Sequence, residues 1–417
     1  VYISLSDRGA RKTGARSGAP VTRVSSVVVT LGVVSLVTDI SSESVASILP
    51  LYITGALGLS TIAYGFIDGL YQGVSAIVRI GGGWASDRAD APKWVAFFGY
   101  GVSALAKVWL LFASGFAAVA AVIAIDRLGK GVRTAPRDAL ITVSSDAGNL
   151  GRSFGVHRML DTVGAALGPL IAFLILTLMP TGYHLVFIVS LAFATVGVLL
   201  LGVLVPNRRP RAERAVAGAP VRPFRWRGLA DPRLRRLLLV AGVFAVLTVG
   251  DGFIYLVLQA RSPFAAQWFP LLYVGTNVAF FLFAVPFGRL ADRFGRGRMF
   301  VAGHCALLAV YACAALPVGG VAVTVLCLLL LGAFYAATDG VLAALAGEFT
   351  PQDGTASGIA SAQTVVALGR LLGSTGFGVL WFAIGSQAAV LIVAVCLAVA
   401  IPAMLVVARP LLAGRAS

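Results

Sequence analysis

Apolar stretches long enough to cross a bilayer recur along the whole chain, and this recurrence limits the fold more than any other feature. They fall near residues 25–55, 60–84, 93–114, 116–144, 152–179 and 183–205, and after a polar stretch near 234–260, 265–288, 298–317, 320–347, 355–382 and 386–408. A helix needs roughly 20 mostly apolar residues to traverse the hydrocarbon core. The pattern therefore predicts an all-α membrane protein with twelve transmembrane helices. Composition agrees, with 59% hydrophobic and 12% charged residues, against about 25% charged in soluble domains. Connectors such as Ala56-Leu57-Gly58, Ser114-Gly115 and Pro180-Thr181-Gly182 leave room only for tight turns.

The net charge of +16 comes from segments between the apolar stretches. The N-terminal arm holds Arg8, Arg11, Lys12, Arg16 and Arg23, and the central linker carries ten arginines from Arg208 to Arg236. Arg88 and Lys93 follow span 2, Arg289, Arg293, Arg296 and Arg298 follow span 8, and Arg409 and Arg415 lie in the tail. On the opposite face Arg261 is almost alone. The positive-inside rule then places both termini and the linker in the cytoplasm of a multi-pass protein of the cell (inner) membrane. The basic segments are topology signals with some attraction to membrane lipid, so nucleic acid is not needed as a partner. The first apolar run is long, contains Asp39 and Glu43 and lacks a cleavage site, so it reads as span 1 rather than a leader.

The two halves repeat. Gly83-Trp84-Ala85-Ser86-Asp87-Arg88 ends span 2, and Gly288-Arg289-Leu290-Ala291-Asp292-Arg293-Phe294-Gly295-Arg296 ends span 8. Asp39 of span 1 corresponds to Asp251 of span 7, and Asp138 of span 4 to Asp339 of span 10. The expected organisation is an arm (1–24), a six-helix bundle (25–205), a basic linker (206–233), a second six-helix bundle (234–410) and a tail (411–417). Two such bundles suit alternating access about a central site.

The G-x-x-x-D-R-x-G-R string after span 8, with its shorter copy after span 2, resembles the major facilitator superfamily. The first copy has Asp90-Ala91-Pro92 where glycine and basic residues are usual. Gly155, Gly164, Gly168-Pro169 and Ala172 in span 5 resemble the antiporter signature of the superfamily's drug-efflux members. Arg127-Leu128-Gly129-Lys130-Gly131 in span 4 resembles a motif linked to proton transfer, with Lys130 in place of glutamine. The resemblance implies a monomeric secondary transporter in which Gly83, Asp87, Arg88, Gly288, Asp292, Arg293, Gly295 and Arg296 latch the cytoplasmic face. It further implies an exporter exchanging a small-molecule substrate for protons.

Charge inside the bilayer is costly and marks function or pairing. Asp39 and Glu43 lie one helical turn apart on one face of span 1. They fit a proton carrier, an ion pair with Arg127 or Lys130, or a substrate contact. Arg127, Lys130, Thr134 and Arg137 share a face of span 4, so Arg127 is a candidate partner of Asp39 or Asp126, or a ligand for an anion. Asp251, between Gly250 and Gly252, and Asp339, with Arg370 as a possible partner, are candidates for the cavity wall. Asp68, Lys107 and the Arg158/Asp161 pair are expected in structural networks.

Proton coupling is thus expected at Asp39, Glu43, Asp126 and Arg127, and a substrate cavity at Asp39, Arg127, Lys130, Asp251, Asp339 and Arg370. Alternatives are an organic-anion or phosphorylated-metabolite antiporter using Arg127 and Lys130, a divalent-metal exporter using Asp39, Glu43 and Asp251, and a membrane receptor or sensor. His157, His184 and His304 are scattered, and no P-loop, metal spacing or cofactor motif occurs, so neither an enzyme nor a cofactor is expected. Cys305, Cys313, Cys327 and Cys396 read as buried, reduced thiols.

Overall fold

The computed structural model describes residues 24–145, 149–207, 231–261, 264–316, 319–350 and 355–412. Most of the arm, linker and tail therefore lies outside the described residues, as do the side chains of Ile80, Asp87, 355–357 and 408–412. The first six helices are α1 (Ser26–Leu51), α2 (Thr61–Ala89), α3 (Pro92–Leu110), α4 (Gly115–Val143), α5 (Leu150–Leu178) and α6 (Tyr183–Leu204). After the linker come α7a (Pro232–Val246), α7b (Asp251–Arg261), α8 (Pro270–Phe294), α9 (Arg296–Ala315), α10 (Val321–Glu348), α11 (Thr355–Ile384) and α12 (Ser386–Leu412). The seventh expected span is thus two helices.

Helix starts follow local chemistry. Ser25, Ser60 and Asp231 cap α1, α2 and α7a by accepting from backbone N–H groups two or three residues on. Pro92, Pro232 and Pro270 sit in the first turns of α3, α7a and α8, where a missing N–H costs nothing. Among the described residues, nine helices are long and apolar enough to cross a membrane. α2, α3 and α4 match them in length but carry Asp68, Arg79, Lys107, Asp126, Arg127, Lys130, Arg133 and Arg137. Several of these point inward, with Asp126, Arg127, Lys107 and Arg133 all buried.

The packing repeats along the chain. α1 lies against α5 and α6, α4 against α2 and α3, and α3 against α6. The later helices reproduce each pairing: α7a with α11 and α12, α10 with α8 and α9, and α9 with α12. The earlier and later groups meet chiefly along α2–α11 and, less extensively, along α5–α8. Outward faces stay apolar, as at Leu178, Val203 and Val399. That outward apolarity corrects one expectation. Cys327 is buried, but Cys305 and Cys396 are exposed, because an apolar run in a membrane protein faces lipid as readily as protein.

Candidate transport cavity

A cavity of about 570 Å³ lies between the earlier and later helices. Its wall includes Asp39, Glu43, Asp68, Tyr71, Lys130, Arg137, Arg158, Asp161, Asp251, Tyr255, Tyr273, Tyr335, Asp339 and Arg370. It opens toward the end carrying the basic loops, where the Arg158 and Asp339 side chains are 65% and 57% exposed.

The opposite end is closed by close helix approach. Gly65, Gly69 and Gly73 form a stripe on α2 whose Cα atoms face Ser374, Leu371 and Ala367 of α11. Gly378 of α11 in turn faces Thr61 and Gly65. On the other side Phe173 of α5 packs against Trp268, with ring centroids 5.3 Å apart. Small residues four apart are what lets two helices touch backbone to backbone.

In the earlier helices the expected pair of carboxylates shares one cation. Asp39 and Glu43 project from α1 at i and i+4, and Lys130 of α4 places its Nζ 3.8 Å from an oxygen of each. Nearer the open end, Arg137 donates to Asp138 at 3.0 Å and to the Ser35 hydroxyl at 3.2 Å. Arg137 also approaches Asp161 at 3.8 Å, and Arg158 pairs with Asp161 at 3.1 Å.

In the later helices the break in span 7 governs the geometry. The helix stops after Val246 and restarts at Asp251. Tyr311 serves the freed backbone, accepting from the Val249 N–H at 2.8 Å and donating to the Leu247 carbonyl at 3.0 Å. Asp251, at the first turn of α7b, accepts from the Tyr335 hydroxyl at 2.7 Å. Arg370 lies 3.7 Å from Asp339, with its guanidinium 5.6 Å from the Tyr335 ring centre.

The expected Arg158/Asp161 pair forms, and Asp161 and Asp68 also line the cavity. Asp68 accepts from the Ser374 hydroxyl at 2.6 Å across the α2–α11 contact. Arg127 and Asp126 are absent from the wall. They sit behind it, where Asp126 pairs with Lys107 at 3.1 Å and Arg127 at 3.3 Å, and Arg127 stacks on the far face of Tyr71 at 3.3 Å. Asp126 and Arg127 flank Lys130 on the same side of α4 at i−4 and i−3, and their contacts with Lys107 and the Tyr71 ring hold them behind the wall.

The motif residues divide by role. Gly164 and Gly168 press against the α1 backbone at Leu36, Ile40 and Ser44, while a side chain at Gly155 would meet nothing. Buried Pro169 and Ala172 continue that face, so the span-5 signature is largely an α1–α5 contact. At the basic end Arg296 bridges Asp292 at 3.4 Å and Glu348 of α10 at 3.5 Å. Gly295 ends α8 at φ 98°, and Asp90 ends α2 at φ 47° in the equivalent position. Gly83 touches Ala135 of α4, Gly288 is open, Arg88 lies over Trp84 and Arg293 over Phe294. The Asp87 side chain lies outside the described residues. His304 stacks on Phe244 with centroids 4.0 Å apart, and His157 is buried.

The Major Facilitator Superfamily profile matches residues 31–275. The chain belongs to the Major Facilitator Superfamily. Within this superfamily it is 26% identical over 361 residues to an uncharacterized MFS-type transporter of Methanocaldococcus jannaschii, covering 84% of this chain and 87% of that protein. An uncharacterized protein of Mycobacterium tuberculosis is 28% identical over 278 residues, 64% of this chain and 66% of its own length. The fold is similar to that of the nucleoside transporter NupG, with a TM-score of 0.78 at 16% identity over 91% of this chain and 99% of that one. It is also similar to the peptide transporter POT, with a TM-score of 0.77 at 15% identity over 93% and 95% of the two chains. A bacterial homolog of the lysosomal transporter Spinster, solved inward-facing and occupied, gives 0.71 at 15% identity over 92% and 96%. The protein is a multi-pass membrane transporter by family and fold, and not an enzyme.

Proposed function

We propose that the chain is a secondary active transporter that works by alternating access between two six-helix bundles, exporting a small molecule in exchange for protons. The observation that carries this reading is the shared lysine. Lys130 stands 3.8 Å from both Asp39 and Glu43, at the wall of a cavity closed at one end and open at the other. Two carboxylates and one ammonium sum to a single negative charge, so one proton makes the group neutral. A neutral group crosses a rearranging, low-dielectric interface at far lower cost than a charged one. Protonation also releases Lys130 from one partner, which gives the proton a mechanical consequence.

In this reading residues 25–205 and 234–410 are the bundles, and both termini and the basic end face the cytoplasm. The Asp292–Arg296–Glu348 bridge, with Gly83, Asp87, Arg88, Gly288, Arg293 and Gly295, belongs to the cytoplasmic latch. The protein acts as a monomer in the inner membrane. Asp126 and Arg127 are the buried support of α4 rather than proton carriers. The organic-anion reading is less favoured, because Arg127 is occupied by Asp126 and Tyr71, and Lys130 by two carboxylates. The divalent-metal reading draws no support from the donor sets, since no group of three metal-ligating side chains occurs among the described residues.

The test uses proteoliposomes containing a pH-sensitive dye and an imposed pH gradient. Panels of organic amines, organic anions and neutral solutes are added in turn. A transported class should move protons through the wild type, and an uncoupler should abolish accumulation. Asp39→Asn should remove proton movement while the protein stays folded. Full gradient-driven transport in Asp39→Asn overturns the coupling assignment.

A further inference from the structure

The stretch of cavity wall where α2 meets the later helices carries more negative charge than its one cation answers. Asp68, Asp251 and Asp339 line it together with Arg370. Arg370 reaches Asp339 at 3.7 Å. Asp68 receives the Ser374 hydroxyl at 2.6 Å and Asp251 the Tyr335 hydroxyl at 2.7 Å, and among the described residues neither forms an ion pair. The other wall carboxylates differ, since Asp39 and Glu43 share Lys130 and Asp161 has Arg137 and Arg158. An ionised carboxylate offers about four acceptor positions, so one hydroxyl does not exhaust the capacity of Asp68 or Asp251, both of which line the cavity. Asp68 is nevertheless 91% removed from solvent, with a relative exposure of 9%.

The walls around these carboxylates are an independent observation. Tyr255 and Tyr273 meet edge to face at 4.7 Å, and the Tyr255 hydroxyl is tied to Thr276 at 2.7 Å, which fixes the ring. Tyr335 is fixed by its bond to Asp251 and already has the Arg370 guanidinium near its ring. Tyrosine faces attract cations within about 6 Å, more strongly when water is excluded. A divalent metal would want a shell of oxygens rather than aromatic faces. The volume of about 570 Å³ suits a small organic molecule.

We propose that this subsite binds a monovalent organic ammonium, its nitrogen between Asp68 and Asp251 and its apolar body against the tyrosine faces. The subsite rests on the transport reading of the cavity and names the chemical class of its cargo. Recognition divides within the cavity: α1 and α4 hold the shared-lysine group, and Asp68 of α2 with Asp251 of α7b holds the amine.

The experiment compares three probes of one skeleton on purified full-length protein: phenethylamine, phenethyl alcohol and hydrocinnamate. Affinity is read by ligand-induced thermal shift without any gradient. The amine should bind wild type at least about tenfold more tightly than the alcohol, a difference of about 1.4 kcal/mol. Asp68→Asn and Asp251→Asn should each lose most of that preference while binding the alcohol as wild type does. Equal binding of amine and alcohol, tighter binding of hydrocinnamate, or an undiminished preference in both variants overturns the proposal. The wild-type comparison decides the matter even if a variant fails to fold. Intact amine preference without gradient-driven flux would count against the transport reading alone.

Discussion

Gly65 sits in the close α2–α11 contact that shuts the cavity, and Gly65→Ala should pry that end apart. A methyl built there lies 2.5 Å from the Ser374 carbonyl oxygen and 3.1 Å from the Gly378 Cα. An unstrained carbon–oxygen approach is about 3.3 Å, so α2 and α11 would have to separate locally by roughly 0.8 Å. Both obstacles are backbone, so no rotamer change relieves them. Overpacking of this kind costs about 1–3 kcal/mol. Alanine also favours the helix over glycine by about 1 kcal/mol, but equally in any state that keeps α2 helical. The closed end should therefore lose roughly 5- to 150-fold in population against a state where α2 and α11 part. Spin labels at Ala56→Cys and Gln387→Cys, with Cys305 and Cys396 replaced, would report the separation by pulsed dipolar spectroscopy. Gly376→Ala on α11 is the control, since a methyl there meets nothing within 4 Å. An unchanged distance distribution in folded Gly65→Ala protein would refute the reasoning.

Gly295→Ala should cost about 1–3 kcal/mol, because φ 98° lies where side chains are strained, and a lower thermal midpoint in detergent would report it. Asp126→Asn should destabilise by about 3–5 kcal/mol by leaving Lys107 and Arg127 buried without their anion, read as reduced folded yield and a lower midpoint. Lys130→Met should leave the protein folded but uncouple proton movement from solute movement, since Asp39 and Glu43 lose their common partner. Arg296→Ala, at the surface-exposed bridge, should change stability by less than about 1 kcal/mol while widening the distance between spin labels newly placed at the basic ends of α8 and α10.

The helices were legible in the sequence because their period and length are fixed by the bilayer. The glycine of the repeated latch string was equally legible. Gly295 takes a positive φ at a helix end, and Asp90 in the first copy accepts the same conformation, as aspartate does more readily than most residues. The pairing of Asp339 with Arg370 was named from sequence, and so was Lys130 as a partner of Asp39 and Glu43. Helix rotation was not legible. Arg127 and Lys130 looked alike as span-4 cations, yet one stacks behind Tyr71 and the other reaches the cavity. Hydrophobic patterning fixes rotation in a soluble protein, but here lipid and neighbouring helices are equally apolar. The same ambiguity hid the place of Asp68 on the cavity wall and made Cys305 and Cys396 look buried. One available signal was overlooked: Gly65, Gly69 and Gly73, four residues apart, mark a backbone-contact face without any structure.

That stripe also explains why the seal and the cavity are parts of one device. Asp68 lies three residues after Gly65 and one before Gly69, so the face of α2 that touches α11 also carries a cavity carboxylate. Ser374 works on both sides of the contact, presenting its carbonyl to Gly65 and its hydroxyl to Asp68. A buried hydrogen bond to a charged group contributes about 1.5–3 kcal/mol, comparable with the cost of one wedged methyl. Whatever engages Asp68 from the cavity competes with Ser374 for the same oxygens and so acts directly on the closure. Gly250, at the span-7 break, lies against the same carboxylate. The break, the stripe and the acid therefore converge on one point, and a change in the charge of Asp68 would be felt by α2, α7b and α11 together.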